Sequence, residues 1–225
     1  MVQTHDFPAD ALGAGEGRHW GRSGLRSRGA ARDSPRAKRL FDVALAVALL
    51  PVLALAALAL VLLNPLLNPG PLLIAQARMG QGCTPFRAFK FRSMRDGPMP
   101  NRTVHAPLER ARITPLGGLL RRTRLDELPQ LLNVLRGEMS LIGPRPDLLE
   151  HAHVHLATVP GYRARHAVRP GISGFAQVVH GYAETPAELR RKVAADLHYI
   201  ANRDWRLEAW ILWRTIIVVL AARGM

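Results

Sequence analysis

The side chains best able to do chemistry are concentrated between Arg121 and Pro146, in RRTRLDELPQLLNVLRGEMSLIGPRP. Arg121, Arg122 and Arg124 precede an Asp126-Glu127 pair, and the run LDELPQLLNVLRG reads as one short helix opened by that pair and stopped by Gly137. A helix N-terminus with free N–H groups, reinforced by guanidinium groups, attracts phosphate. A carboxylate in that field is expected to have a depressed pKa and to stay ionised near neutrality. Beside a bound phosphate it can attack phosphorus to form an acyl phosphate, or hold a divalent metal. Asp126 and Glu127 are therefore the candidate catalytic and metal-ligating residues. The plainer alternative is an ordinary helix cap at Asp126, or a capping box between Thr123 and Asp126. Adjacent helical carboxylates also diverge by about 100° around the axis, so the two need not share one task.

Further cations recur beside rigid turns. In Gly143-Pro144-Arg145-Pro146 two prolines fix the backbone around one arginine, and either X-Pro bond could be cis. Arg169-Pro170-Gly171-Ile172-Ser173-Gly174 repeats a basic residue beside a Pro-Gly turn, and KFRSM places Lys90 and Arg92 at a presumed strand end. Each of these is, alone, as well explained as a solvated surface charge or a simple loop. Together they make Lys90, Arg92, Arg121, Arg145 and Arg169 candidate phosphate ligands. His151, His153 and His155 alternate along a helical stretch and do not share a face, which argues against metal binding there. The chain has no Walker-type glycine loop, no GxSxG elbow and no zinc-finger spacing. Its single cysteine, Cys83, excludes an internal disulfide framework.

These residues must be positioned by a chain of 225 residues, room for one ordinary domain plus appendages. With 31 Lys+Arg against 17 Asp+Glu, its net charge of +14 favours polyanionic partners: nucleic acid, an anionic membrane face or phosphorylated substrates. At 48% hydrophobic residues it is not a disordered basic tail. Residues 1–35 lack an apolar period and read as a flexible basic arm, not a signal peptide. From Val43 to Leu63 runs VALAVALLPVLALAALALVLL, without a charge. About 21 residues at roughly 1.5 Å each give on the order of 30 Å, enough to cross a hydrocarbon core. Pro51 predicts a kink. Basic residues stand on both sides (Arg32, Arg36, Lys38 and Arg39 before; Arg78, Arg87, Lys90, Arg92 and Arg95 after), which favours a bent helix that re-enters and leaves by one face over a plain crossing.

Beyond NPLLNPGP, residues 72–95 read as one or two short strands, and residues 108–122, 147–158 and 186–201 as helices. The stretch Leu207 to Ala222, with Trp205, Trp210 and Trp213 near its start and Arg214 within, suits a helix lying at the membrane interface. The fold class expected is α/β, mostly helical, with three parts: the arm at 1–35, a re-entrant (or spanning) membrane helix at 36–67, and a catalytic domain at 68–225.

In order along the chain, KRLFDVALA, QARMGQGCTPFRAFKFRSM, LRRTRLDELPQLLNVLRGEMSLIGPRP and RHAVRPGISGFAQV resemble the bacterial sugar transferases, or monotopic phosphoglycosyl transferases, in their compact form; DLHYIANRDWRLEAWILWRTI matches more weakly. The resemblance covers about residues 36–222. It implies a small α/β domain at the cytoplasmic face of the bacterial inner membrane, a re-entrant helix, and Mg²⁺-dependent two-step displacement. By analogy Asp126 attacks the β-phosphate of a UDP-sugar, releasing UMP, and polyprenyl phosphate then attacks the phosphosugar-enzyme. Glu127 matches the second member of the dyad, with a supporting acid/base or metal role. Arg121, Arg145 and Lys90 fall on motif cations. The partners implied are the UDP-sugar, polyprenyl phosphate and the lipid bilayer, with a homodimer left open. Phe175, where a tryptophan is common, the VVHGYAET continuation, and Glu208 in place of Asp put transfer of sugar specificity in doubt.

Two rival classes remain. A non-enzymatic membrane adaptor holding anionic lipids would make the Asp126-Glu127 pair dispensable. A nucleic-acid-binding protein is suggested by charge alone and opposed by the apolar run and the lack of a binding motif, so nucleic acid is not an expected partner.

Overall fold

The computed structural model describes residues 35–95, 109–181 and 185–221. The expected arm lies outside them but for Pro35, as do Leu108 at the start of one expected helix and the 182–184 part of VVHGYAET. The described chain is mostly helical, with two small two-stranded sheets.

Helix α1 (Pro35–Leu67) extends beyond the uncharged run at both ends and stays helical through Pro51 and Pro65. Its 33 residues span about 50 Å at ~1.5 Å each. It is the one helix among the described residues long and apolar enough to cross a membrane, and only 11% of its most apolar window is buried. Leu55, Leu58, Leu62 and Leu66 stand outward without protein cover, an arrangement suited to lipid rather than water.

Both ends of α1 are gripped by the same domain. At its start, Lys38 Nζ lies 2.9 Å from Asp42 Oδ1 and 2.8 Å from Glu208 Oε2. Asp42, fully buried, also accepts from Ser140 Oγ at 2.8 Å and the Leu141 amide at 3.2 Å. Arg39 donates to the Val134 and Leu135 carbonyls. At its end, Asn64 donates to Gly70 O at 2.8 Å and Asn68 to Arg92 O at 3.0 Å. Between these anchors Leu53 touches two cores, one around Leu131, Val134, Met139 and Ile142, the other around Leu60, Phe91, Leu116 and Leu120.

The expected strands form an antiparallel hairpin, β1 (Leu73–Met79) with β2 (Pro85–Phe91), in register from Leu73↔Phe91 to Met79↔Pro85. Helix α2 (Pro115–Arg122) is capped by Thr114, whose side chain accepts from the Gly117 amide. The LDELPQLLNVLRG stretch is not one regular helix. A tight 3₁₀ turn, Leu125–Glu127, entered through Arg124 in the left-handed region (φ 59°), precedes α3 (Gln130–Arg136), which ends at Gly137 with φ 82°. The Thr123 capping box is absent, because the Thr123 hydroxyl bonds back to the Leu119 and Leu120 carbonyls.

Strand β3 (Ser140–Ile142) pairs in parallel with β4 (Gly171–Ser173). This pairing presses the two Pro-Gly loops backbone to backbone: a Cβ on Gly171 would lie 2.1 Å from Gly143 N, and one on Gly174 2.3 Å from Gly143 O. Glycine is required there by closeness of approach. No peptide bond in the described chain is cis, so both prolines of the Gly143–Pro146 turn follow trans bonds. Helices α4 (Leu149–Thr158), α5 (Phe175–His180), α6 (Pro186–Asn202) and α7 (Trp205–Leu220) complete the fold. Thr185 and Glu188 form a reciprocal capping box on α6, and Asp204 caps α7.

Candidate active site

Asn133, completely buried on α3, fastens that helix to the hairpin. Its amide donates to Arg87 O at 2.8 Å and its carbonyl accepts from the Phe89 amide at 3.0 Å. This clamp turns the next residue of β2, Lys90, towards the 3₁₀ turn before α3. Lys90 Nζ donates to Glu127 Oε1 at 2.8 Å. From the opposite side Arg145 engages the same carboxylate with both guanidinium nitrogens, one at 2.9 Å from Oε2. A third cation, Arg124, lies 3.8 Å from Oε2.

Arg145 is itself held from behind. Its carbonyl accepts from Arg165 at 2.7 Å, and Arg78 donates to Pro146 O at 2.5 Å. Arg165, 2% exposed, is fixed by Asp147 and Asp196. A buried ionic cluster thus ties α6 to the arginine of the Gly143–Pro146 turn. Nothing local in the sequence distinguished Arg165, Asp147, Asp196 or Asn133; an asparagine and an arginine at otherwise core-facing positions were the available signals.

The two acidic residues differ in electrostatic state. Burial pushes the Glu127 carboxyl up, but Arg145 and Lys90 outweigh it and hold the group well below the ordinary carboxylate range. For Asp126, burial and then the Glu127 charge raise the pKa above its usual 3.8, against the pull of Lys90, Arg145 and Arg121. The expected depression therefore holds for Glu127 and is reversed for Asp126, since guanidinium groups close to Asp126 do not fully replace the water it has lost. Asp126 is 7% exposed, and its Oδ1 has no hydrogen-bond partner. Burial brings Lys90 down from 10.5 to about 8, even with Glu127 beside it.

Three of the five candidate phosphate ligands lie at the dyad and two lie apart from it. Lys90 and Arg145 touch the dyad, and Arg121, in the last turn of α2, acts on Asp126 through its charge. Arg169 instead donates to Gly137 O at 2.8 Å, at the far end of α3 from Glu127. Arg92, 4% exposed, donates to Pro71 O at 2.8 Å and to Asn68 O, where α1 ends. Its guanidinium secures the membrane helix to the hairpin. His155 packs on Tyr162 with ring centroids 5.2 Å apart, and no group of three or more metal-ligating side chains occurs among the described residues.

The sequence profile of the bacterial sugar transferases matches residues 34–222, most of the chain. The chain belongs to the bacterial sugar transferase family. Among similar members of this family, a UDP-N-acetylgalactosamine-undecaprenyl-phosphate N-acetylgalactosaminephosphotransferase of Aeromonas hydrophila is 42% identical over 83% of this chain and 44% of its own length. A UDP-glucose:undecaprenyl-phosphate glucose-1-phosphate transferase of Caulobacter vibrioides is 43% identical over 81% of this chain and 67% of its own. An exopolysaccharide production protein, PSS, of Rhizobium leguminosarum bv. phaseoli is 40% identical over 80% of this chain and 93% of its own. The chain thus spans less than half of the first of these sugar transferases and nearly all of the third.

Proposed function

We propose that this sugar transferase moves a sugar 1-phosphate from a UDP-sugar to polyprenyl phosphate, with Asp126 as the nucleophile. The observation that carries the reading is the division of labour in the dyad. Glu127 is neutralised by Lys90 and Arg145, while Asp126 beside it keeps a buried oxygen without a partner. A desolvated carboxylate is a stronger nucleophile than a solvated one, and the surrounding cations offset the repulsion between it and an anionic pyrophosphate.

An Asp126 oxygen forms a bond to the β-phosphorus, the bond from that phosphorus to the bridging oxygen breaks, and UMP leaves with the electron pair. A phosphate oxygen of the polyprenyl carrier then attacks the same phosphorus and frees the Asp126 carboxylate. Lys90, Arg145 and Arg121 hold charge on the transferred group during both steps, and Glu127 sets the positions of Lys90 and Arg145. Mg²⁺ prefers a few carboxylate oxygens supplemented by phosphate and water. The unpartnered Asp126 oxygen fits that demand, whereas both Glu127 oxygens are occupied by cations. When bound, the ion would reduce negative charge on the pyrophosphate.

The membrane arrangement that fits best is monotopic, with α1 entering and leaving by the cytoplasmic face of the bacterial inner membrane. In its support, residues at both ends of α1 bond to one and the same domain. Helix α7 exposes Trp210, Trp213, Ile216, Ile217 and Leu220, as a helix lying in the interface would. The test is incubation with a panel of UDP-sugars, polyprenyl phosphate and Mg²⁺, scoring UMP. At least one donor should release UMP, and Asp126→Asn should abolish the release while leaving membrane insertion intact. UMP release at the normal rate by that variant would overturn the assignment.

A further inference from the structure

The carbonyls of Pro144, Arg145, Pro146 and Asp147 each accept a hydrogen bond. Their donors are, in that order, the Gly171 amide at 3.0 Å, Arg165 at 2.7 Å, Arg78 at 2.5 Å and the Met79 amide at 3.2 Å. Pro144 and Pro146 fix φ on either side of Arg145, so the peptide planes that carry its side chain are set from outside the turn. Arg165, on a 3₁₀ stretch at Tyr162–Ala167, is 2% exposed. Its guanidinium divides three ways: Nε bonds Asp196 Oδ2 at 2.9 Å, Nη1 bonds Asp147 Oδ2 at 2.5 Å, and Nη2 reaches Arg145 O. Asp196 comes from α6 and is as buried as Arg165, and Lys192, one turn earlier, holds the other Asp147 oxygen at 2.6 Å.

We infer that Arg165 is a positioning residue for the transfer: clamped between Asp147 and Asp196, it holds the Arg145 backbone so that the Arg145 guanidinium meets Glu127 with both nitrogens. The inference rests on the proposed role of Arg145 in holding charge on the transferred phosphosugar. Arg165 bonds to Asp147, Asp196, Tyr162 and Arg145 O, none of them a dyad atom, so it acts on the site through Arg145. A buried ion pair adds little net stability over apolar packing of the same volume, because desolvation consumes most of the Coulomb gain. What three aimed N–H groups supply instead is direction. The two-pronged contact of Arg145 with Glu127 needs that direction, since a planar fork on a carboxylate tolerates little displacement of the backbone behind it. The sequence carries the same logic: two prolines restrict the Arg145 backbone, and Arg165 fixes the peptide between them.

The test is a double-mutant cycle on the whole enzyme in detergent, scoring kcat and KM for UMP release with polyprenyl phosphate present. Arg165→Lys keeps a cation between Asp147 and Asp196, but one ammonium cannot replace the three-way fork and loses Arg145 O. It should lower kcat about tenfold, since a misplacement of ~1 Å at a reacting centre costs up to ~100-fold. KM should stay within about threefold, because the charge that Arg145 meets grows during the displacement. In an Arg145→Lys background the same change should cost less than about twofold, as expected of two residues that act as one unit. Asp196→Asn loosens the hold on Arg165 without altering it, and should give the same pattern with a smaller fall in kcat. It carries the cycle if Arg165→Lys does not fold. A merely structural role lowers the amount of folded enzyme and multiplies through both backgrounds, so an equal fall in kcat with and without Arg145→Lys would overturn the inference. So would a normal kcat in both single variants. Failure of the transferase reading is distinct: there, the wild type releases no UMP from any donor, and this role falls with it.

Discussion

Lys90 makes the pH dependence of the first half-reaction a sharp test of the site. The profile of kcat/KM against pH reports ionisations of the free enzyme. Burial lowers the Lys90 pKa from 10.5 to about 8, which corresponds to about 3 kcal/mol against the charged form. If its charge supports transfer, kcat/KM should be level below pH 8 and fall about tenfold per pH unit above it, following the protonated fraction. On the acid side the rate should rise as Asp126 loses its proton, with a midpoint above the usual 3.8 because burial raises that group. Lys90→Arg substitutes a cation that stays charged above pH 12, so the fall above pH 8 should vanish. Lys90→Met removes the strongest cationic influence on Asp126 and should move the acid limb to higher pH. The assay is initial UMP release at donor concentrations well below KM, in buffers of constant ionic strength. A wild-type profile without a fall between pH 8 and 10, or a fall that persists in Lys90→Arg, would refute the reasoning.

Other consequences are open to direct measurement. Arg145→Lys cannot reproduce the two-pronged contact with Glu127 and should reduce kcat/KM at least tenfold in the same assay. Asp42→Ala removes a buried acceptor shared by Lys38, Ser140 and the Leu141 amide and leaves Lys38 paired with Glu208 alone, so denaturant unfolding in detergent should show a loss of about 1–3 kcal/mol. Gly171→Ala places a methyl about where the Gly143 backbone stands and should lower the melting temperature by several degrees together with activity. In a Cys83→Ser background, single cysteines replacing Arg36 and Arg87 should react with an impermeant thiol reagent from the same face of the membrane.

Much of this was legible in the residues. The uncharged run gave α1, the helical stretches at 186–201 and 207–222 gave most of α6 and α7, and the order of LDELPQL, GPRP and RPGI gave the family. The family resemblance, more than local spacing, set Asp126, Glu127, Lys90 and Arg145 together as candidates, and the fold brings Lys90 and Arg145 into contact with Glu127. What local sequence could not carry was burial. The same cationic surroundings depress Glu127 and fail to depress Asp126, because only the folded chain determines which carboxylate meets the guanidinium groups and which is merely cut off from water. Arg92 has the same character: KFRSM presents two cations two residues apart, and strand alternation would put both on one face, yet β2 ends between them at Phe91. Lys90 faces the dyad and Arg92 turns to the end of α1. Arg165 shows the limit from the other side, since its acidic partners lie 18 to 31 residues away in sequence and only tertiary packing joins them.

The most direct measurement is mass spectrometry of enzyme quenched during turnover with an active UDP-sugar in the absence of polyprenyl phosphate. The account predicts a mass increase of one phosphosugar, mapped to the peptide containing Leu125–Leu128 and located on Asp126. An adduct on any other side chain, or no adduct while UMP is being released, would contradict it.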